Sequence, residues 1–275
     1  MVRVSQNDAV GSHPREVDQI VRQFIVEFGS DAASWYVLGS HAEGSAIDLS
    51  DIDLLCLFRR PVGVAGFEWG AHVEKSYGGR VDIYMQHPQS INTVLNAHVL
   101  AMLGRAVLIQ GVEQRGSLPS INVRAYQESV SYLFGRAVEH YHPDRSLNSD
   151  PRPSDAFLGF VERAPRWTGV ETWTHPIVVL LGNGARAGVS TDGRVAASRQ
   201  ESVDRFMQCQ DCLDWPTFCA ESIALLRSSW RYRVPATTAD RDRLRDVCSR
   251  LRLFAEFCVK RLSAAGIPIY RVTRS

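Results

Sequence analysis

The chain has 275 residues, 45% of them hydrophobic and 22% charged, with a formal charge of +1; these are the values of a soluble globular protein with one large or two ordinary domains. No apolar run approaches the roughly 20 residues that a membrane-spanning helix needs. The N-terminal MVRVSQNDAVGSHPREVDQ has no signal-peptide core, so no membrane partner and a cytoplasmic location are expected.

In chain order, Pro14 opens a helix from about Arg15 to Phe28, where Val17, Ile20, Val21, Phe24, Ile25 and Phe28 form one apolar stripe. Trp35 to Leu38 and Ile52 to Phe58 read as strands, with a loop or short helix after the second. RVDIYMQ (residues 80–86) is a third strand, residues 89–103 a helix and residues 105–111 a short fourth strand. From there the pattern changes to long helices over residues 121–142, within 173–188, then 198–209, 215–230 and 237–263. The last keeps Leu244, Val247, Leu251, Phe254 and Cys258 on one stripe, with Arg241, Arg245 and Arg252 off it. Residues 142–155 are a proline-rich loop. The expected fold is mixed α/β: a small sheet domain over residues 1–112 followed by an all-α helical bundle over residues 113–275.

Two compositional features need a reading. The segment from Arg227 to Ser275 holds twelve Lys/Arg against four Asp/Glu, which suits a polyanion or, more blandly, a solvated helix face. Cys56, Cys209, Cys212, Cys219, Cys248 and Cys258 are scattered in apolar contexts and read as small buried thiols. Cys209-x-x-Cys212 has no second cysteine pair or nearby histidine to complete a zinc set.

The chemistry concentrates in YVLGSHAEGSAIDLSDIDLLCLF, residues 36–58. Asp51 and Asp53 flank Ile52 at the start of an otherwise apolar strand, and residues two apart share a face. Two carboxylates held that close repel one another, and burial raises the cost, so a cation is implied. Asp82, between Val81 and Ile83 in the third strand, is a third acid in an apolar run; if the strands are neighbours, three carboxylates converge. Hard divalent ions such as Mg²⁺ prefer such oxygens and keep positions open for water and phosphates. Gly39-Ser40 follows the first strand: the glycine lets a triphosphate come close to the backbone, and Ser40 offers its hydroxyl and N–H.

Gly39-Ser40, ten residues, Asp51-Ile52-Asp53 and a later Asp82 together resemble the signature of the DNA polymerase β-like nucleotidyltransferase superfamily. GVSTDGRVAASRQESVDRFM (residues 188–207) resembles the Thr-Gly-x-x-x-x-Lys segment of two-domain bacterial aminoglycoside adenylyltransferases, and LLRSSWRYRVP resembles that family's end. The resemblance implies that Asp51 and Asp53 hold Mg²⁺, and that Asp82 is general base, metal ligand or both. It also implies that Gly39, Ser40 and Arg199 bind the nucleotide phosphates, with Trp230 or Tyr232 near the nucleotide. One departure concerns the acceptor: relatives that modify streptomycin place acids just before the helix that here begins near Pro176, where this chain has ETWTHP, with Asp155, Glu162 and Glu171 nearby.

The leading expectation is a Mg²⁺-dependent enzyme that moves AMP from ATP onto a hydroxyl of a small molecule, an aminoglycoside-type or other hydroxylated antibiotic or metabolite. A second expectation changes the acceptor to tRNA or a partner protein, as in toxin–antitoxin systems. A third is a catalytically silent nucleotide-binding module.

Overall fold

A computed structural model describes residues 13–78, 80–141 and 174–269. The proline-rich loop and the acids Asp155, Glu162 and Glu171 fall outside them. The order is α1 (Arg15–Phe28), β1 (Ala33–Val37), α2 (Gly39–Ala42), β2 (Ile52–Phe58), α3 (Gly63–Ser76), β3 (Val81–Gln86), α4 (Ala97–Leu103) and β4 (Val107–Gln110). A 3₁₀ turn at Arg115–Ser117 leads to α5 (Val123–Tyr141), α6 (His175–Ser190), α7 (Arg199–Phe206), α8 (Trp215–Ala224) and α9 (Thr238–Ala264). A π turn, Leu225–Ser229, continues α8. The architecture is thus a mixed α/β sheet domain followed by a helical region.

The four strands lie in the order β3-β2-β1-β4. β1 is antiparallel to β2 and β4, whereas β2 and β3 are parallel, with Asp53 directly opposite Asp82. Alternation along the strands builds two cores. On one face Trp35, Val37, Leu54, Cys56, Phe58, Ile83 and Met85 pack with the apolar stripe of α1. On the other, Tyr36, Leu38, Leu55 and Leu57 meet Val99, Leu100 and Leu103 of α4. A third core joins α5 to α9 around Phe134, Leu181, Phe206, Phe254 and Cys258.

Two elements differ from expectation. Residues 63–76 are a full helix rather than a loop or short helix, because Gly66 and Gly70 weaken the helical signal while serving close packing. A Cβ at Gly70 would sit 2.8 Å from Met85 Cγ of β3, and one at Gly66 2.4 Å from Val62 Cγ2. Conversely, residues 89–96 are turns, so α4 starts only at Ala97. Polar side chains compete with the helix there: Ser90 Oγ bonds His87 O, and Asn92 bridges to the backbone of Ser120 and Asn122.

The basic C-terminal stretch is extensively paired. Arg245 meets Asp242, Arg250 meets Asp214, Arg252 meets Glu256, and Arg261 reaches both Asp192 and Asp211. Four cysteines are free and buried as expected, but Cys209 and Cys212 form a disulfide rather than two thiols. Among the described residues no helix is long and apolar enough to cross a membrane.

Candidate active site

The strand geometry accounts for the acids. Ile52 and Leu54 take the α1 face of β2, which turns Asp53 to the opposite face beside its register partner Asp82. One carboxylate oxygen from each of Asp51, Asp53 and Asp82 lies within 4.8 Å of the others. Burial raises the Asp53 pKa well above the usual carboxylate range, and the charges of Asp51 and Asp82 raise it further. Asp82 opens to the cleft, yet the surrounding protein, then Asp51 and Glu74, hold its pKa up at about 7 against the pull of Arg136. Three converging carboxylates in this state, all oxygen donors, suit a hard divalent cation such as Mg²⁺.

Gly39 and Ser40 begin α2 at the end of β1, where Leu38 N–H donates to Asp53 O at 2.9 Å. Gly39 has φ +59°, and a Cβ there would stand 2.4 Å from Asp53 Oδ2. Only glycine combines that left-handed backbone with such close approach to the acid.

Opposite the triad stands a cationic wall of which the sequence announced only Arg199. The cleft, about 620 Å³, is lined by Gly39, Ser40 and the three aspartates on one side and by Arg105, Arg186, Arg199 and Arg227 on the other. All four guanidiniums lie close enough to Glu43 to oppose the upward push of burial on its pKa. Arg186, in α6, is only 8% exposed. The hydrogen bond its guanidinium makes there is a long one, 3.5 Å, from Nε to Ser202 Oγ. Arg199 opens α7, which Ser198 caps: its Oγ accepts Glu201 N–H at 3.0 Å while Glu201 Oε2 accepts Ala197 N–H. Arg199 packs so closely on α6 that a Cβ at Gly182 would meet its Cγ at 2.9 Å.

The two halves are tied at this cleft. Arg227 donates to Ser45, and Arg231 to Asp48 at 2.7 Å. His175, first residue of α6, brings Nε2 to 3.9 Å from Asp51 Oδ1. Burial lowers its pKa to about 4, with Arg199 and Arg227 lowering it and Asp51 opposing, so the ring is neutral near pH 7.

The structure therefore brings Gly39, Ser40, Asp51, Asp53, Asp82 and Arg199 to one cleft. Trp230 and Tyr232 do not line it. Trp230 packs on the helical core, and Tyr232 is buried with its ring 4.7 Å from that of His175, behind the residue that faces Asp51. Sequence reasoning missed Arg105, Arg186, Arg227 and His175. A signal existed for Arg186 alone, a single charge in the otherwise uncharged HPIVVLLGNGARAGVS of α6.

No curated protein gives a significant match to this chain. Residues 15–102, the stretch that carries Gly39, Ser40 and all three carboxylates, match the family model described as a nucleotidyltransferase domain, and that domain occupies this part of the chain.

Proposed function

We propose that the protein transfers a nucleoside monophosphate, AMP from ATP as the leading case, to a hydroxyl of a small acceptor such as a hydroxylated metabolite or an aminoglycoside-type antibiotic. The observation that carries this reading is the charge division of one cleft, three clustered carboxylates facing four arginines. A triphosphate needs both sides. Guanidiniums match phosphate oxygens and remain charged at any working pH. Arg105, Arg186, Arg199 and Arg227 hold the β- and γ-phosphates, and Gly39 and Ser40 cradle the chain next to Asp53.

Asp51, Asp53 and Asp82 would hold divalent cations, which when bound offset charge on the phosphates and the departing pyrophosphate. The acceptor oxygen attacks the α-phosphorus, the bond to the β-phosphate oxygen breaks, and pyrophosphate leaves towards the arginines. Asp82, on the strand beside Asp53 and open to the cleft, takes the acceptor proton. His175 stays neutral beside Asp51 and so does not compete with a cation for that carboxylate. On this reading residues 1–112 form the catalytic domain and residues 113–275 add triphosphate contacts through Arg186, Arg199 and Arg227.

The test is pyrophosphate release with Mg²⁺, each of the four NTPs, and a panel of aminoglycosides, other hydroxylated antibiotics and bulk tRNA. Asp51→Ala serves as the blank. Acceptor-dependent release from one NTP, absent in the blank, is the expected result; release with tRNA alone replaces the small acceptor with a macromolecular one.

A further inference from the structure

We infer that Tyr84 and His98 form the acceptor subsite and read one hydroxyl of an uncharged, polyhydroxylated ring, an inference that rests on the nucleotidyl-transfer reading above. Sheet order gives the cleft two ends. Gly39, at the end of β1, lies on one side of Asp53, and Asp82 of β3 lies on the other. The arginines gather around Glu43 next to Gly39 and Ser40, so the triphosphate end is the β1 side. In-line displacement brings the acceptor in opposite the leaving pyrophosphate, which is the β3 side.

Tyr84 follows Asp82 by two residues on β3 and so shares its face. His98, Met102 and Arg105 all line the cleft from one stripe of α4 and its C-terminal turn. That stripe is about 10 Å long at 1.5 Å per residue. Arg105 ends it at the triphosphate side, where it pairs with Glu201 of α7 at 3.3 Å. His98 ends it at the other side, its ring edge-on to Tyr84 with centroids 5.9 Å apart.

Both groups have hydrogen-bonding capacity to spare. His98 is 4% exposed and fixed from behind, its Nδ1 2.7 Å from Ser129 Oγ of α5. Its other nitrogen, Nε2, has no hydrogen-bond partner among the described residues. An unpaired buried nitrogen is costly, and a ligand hydroxyl removes that cost. Burial, helped by Arg186, lowers the His98 pKa to about 3, so the imidazole is uncharged at working pH. The Tyr84 hydroxyl also makes no hydrogen bond among the described residues. Neither group supplies the negative charge that a desolvated ammonium needs.

The experiment loads the full chain with Mg²⁺ and α,β-methylene-ATP, then follows binding of myo-inositol, methyl glucoside, trehalose, streptomycin and kanamycin by saturation-transfer NMR and calorimetry. Tyr84→Phe removes one hydroxyl, and His98→Asn keeps a polar group near Ser129 while deleting Nε2. The expected result is an uncharged probe that binds the loaded wild type and about tenfold or more weaker in each variant, the scale of one lost hydrogen bond. Affinity for the ATP analogue is expected to stay within about twofold of wild type, since the triphosphate end is untouched. Binding of the cationic probes alone, variants equal to wild type, or no bound polyol overturns the subsite. So does a loss confined to the ATP analogue, which assigns the pair to the donor. Failure of the wild type to bind the analogue with Mg²⁺ is a different outcome and sinks AMP transfer from ATP, the reading on which the subsite rests.

Discussion

Gly39→Ala tests how the Gly39-Ser40 turn and Asp53 are built as one unit. Two costs are expected. Alanine at φ +59° pays about 1–2 kcal/mol for the left-handed backbone. Its Cβ would also stand 2.4 Å from Asp53 Oδ2, whereas real Cβ contacts essentially never fall below 3.0 Å, so the carboxylate must retreat. The combined destabilisation is expected at about 2–3 kcal/mol, which for a chain of this size lowers Tm by roughly 4–10 °C. A retreating ligand also weakens the metal site, by about 10–100-fold in Mn²⁺ affinity on the scale known for disturbed ligand shells. Differential scanning fluorimetry reads the first effect and Mn²⁺ titration the second. An Asp53→Ala background separates the terms, because the clash disappears while the backbone cost remains. If Gly39→Ala melts and binds Mn²⁺ like the wild type, or costs as much without Asp53 as with it, the close approach to Asp53 is not what constrains position 39.

Three further outcomes follow from the cleft. Without divalent ions the folded state keeps protons on Asp53 and Asp82 that the unfolded chain loses near pH 4, so this stability is present at low pH and is lost as pH rises towards the Asp82 pKa of about 7. In chelated protein the Tm advantage of Asp82→Asn over the wild type should therefore grow between about pH 4.5 and 7.5, a comparison in which the buried neutral His98 and His175 cancel, with Mg²⁺ raising the wild-type Tm more at the upper end; an advantage that shrinks over this window contradicts the assignment. Arg186→Met should weaken Mg-ATP binding by about 10–100-fold while leaving Tm unchanged or higher, because an apolar chain suits that burial better than a guanidinium. Calorimetry with unchanged affinity would remove Arg186 from the phosphate site. Ser198→Ala deletes the α7 cap and should cost about 1 kcal/mol, whereas Ser198→Asp retains most of it.

The carboxylate side of the cleft was legible because a lone polar residue in an apolar strand has few explanations, and two-residue periodicity assigns its direction. Asp53 and Asp82 carry that signal, and Asp51, two residues before Asp53, shares its face. α3 was obscured because Gly66 and Gly70, chosen for close contact, look like helix breakers. Residues 89–96 misled in the other direction, their apolar members hiding the side-chain bonds of Ser90 and Asn92 that hold turns. The cationic side has no comparable local code. Arg105, Arg186, Arg199 and Arg227 come from four separate segments, and only folding shows that they share Glu43 as a neighbour. Their paired counterparts in α9 look the same in sequence, yet meet Asp and Glu instead of a cleft. Spacing can report residues on one strand or one helix face; it cannot report a convergence made by helix packing.

That convergence depends on a short segment with unusual backbone. Leu225–Ser229 is a π turn, and Arg231 and Tyr232 follow at φ +49° and +64°, where side chains other than glycine are strained. The contacts around it explain what offsets the strain. Arg227 bonds Ser45 and Arg231 bonds Asp48, both in the loop between Gly39-Ser40 and Asp51. Tyr232 O accepts Thr174 N–H at 2.7 Å, and its ring backs His175, which faces Asp51. One strained turn thus fixes the loop after Gly39-Ser40, the start of α6 and, along that helix, Arg186. The carboxylates of residues 15–102 become half of a charge-divided cleft only because this turn holds the other half opposite them. An unstrained helix through residues 225–232 would carry Arg227, Arg231 and Tyr232 along a continuous axis and forfeit these three anchors together. The strain is therefore part of how the site is assembled.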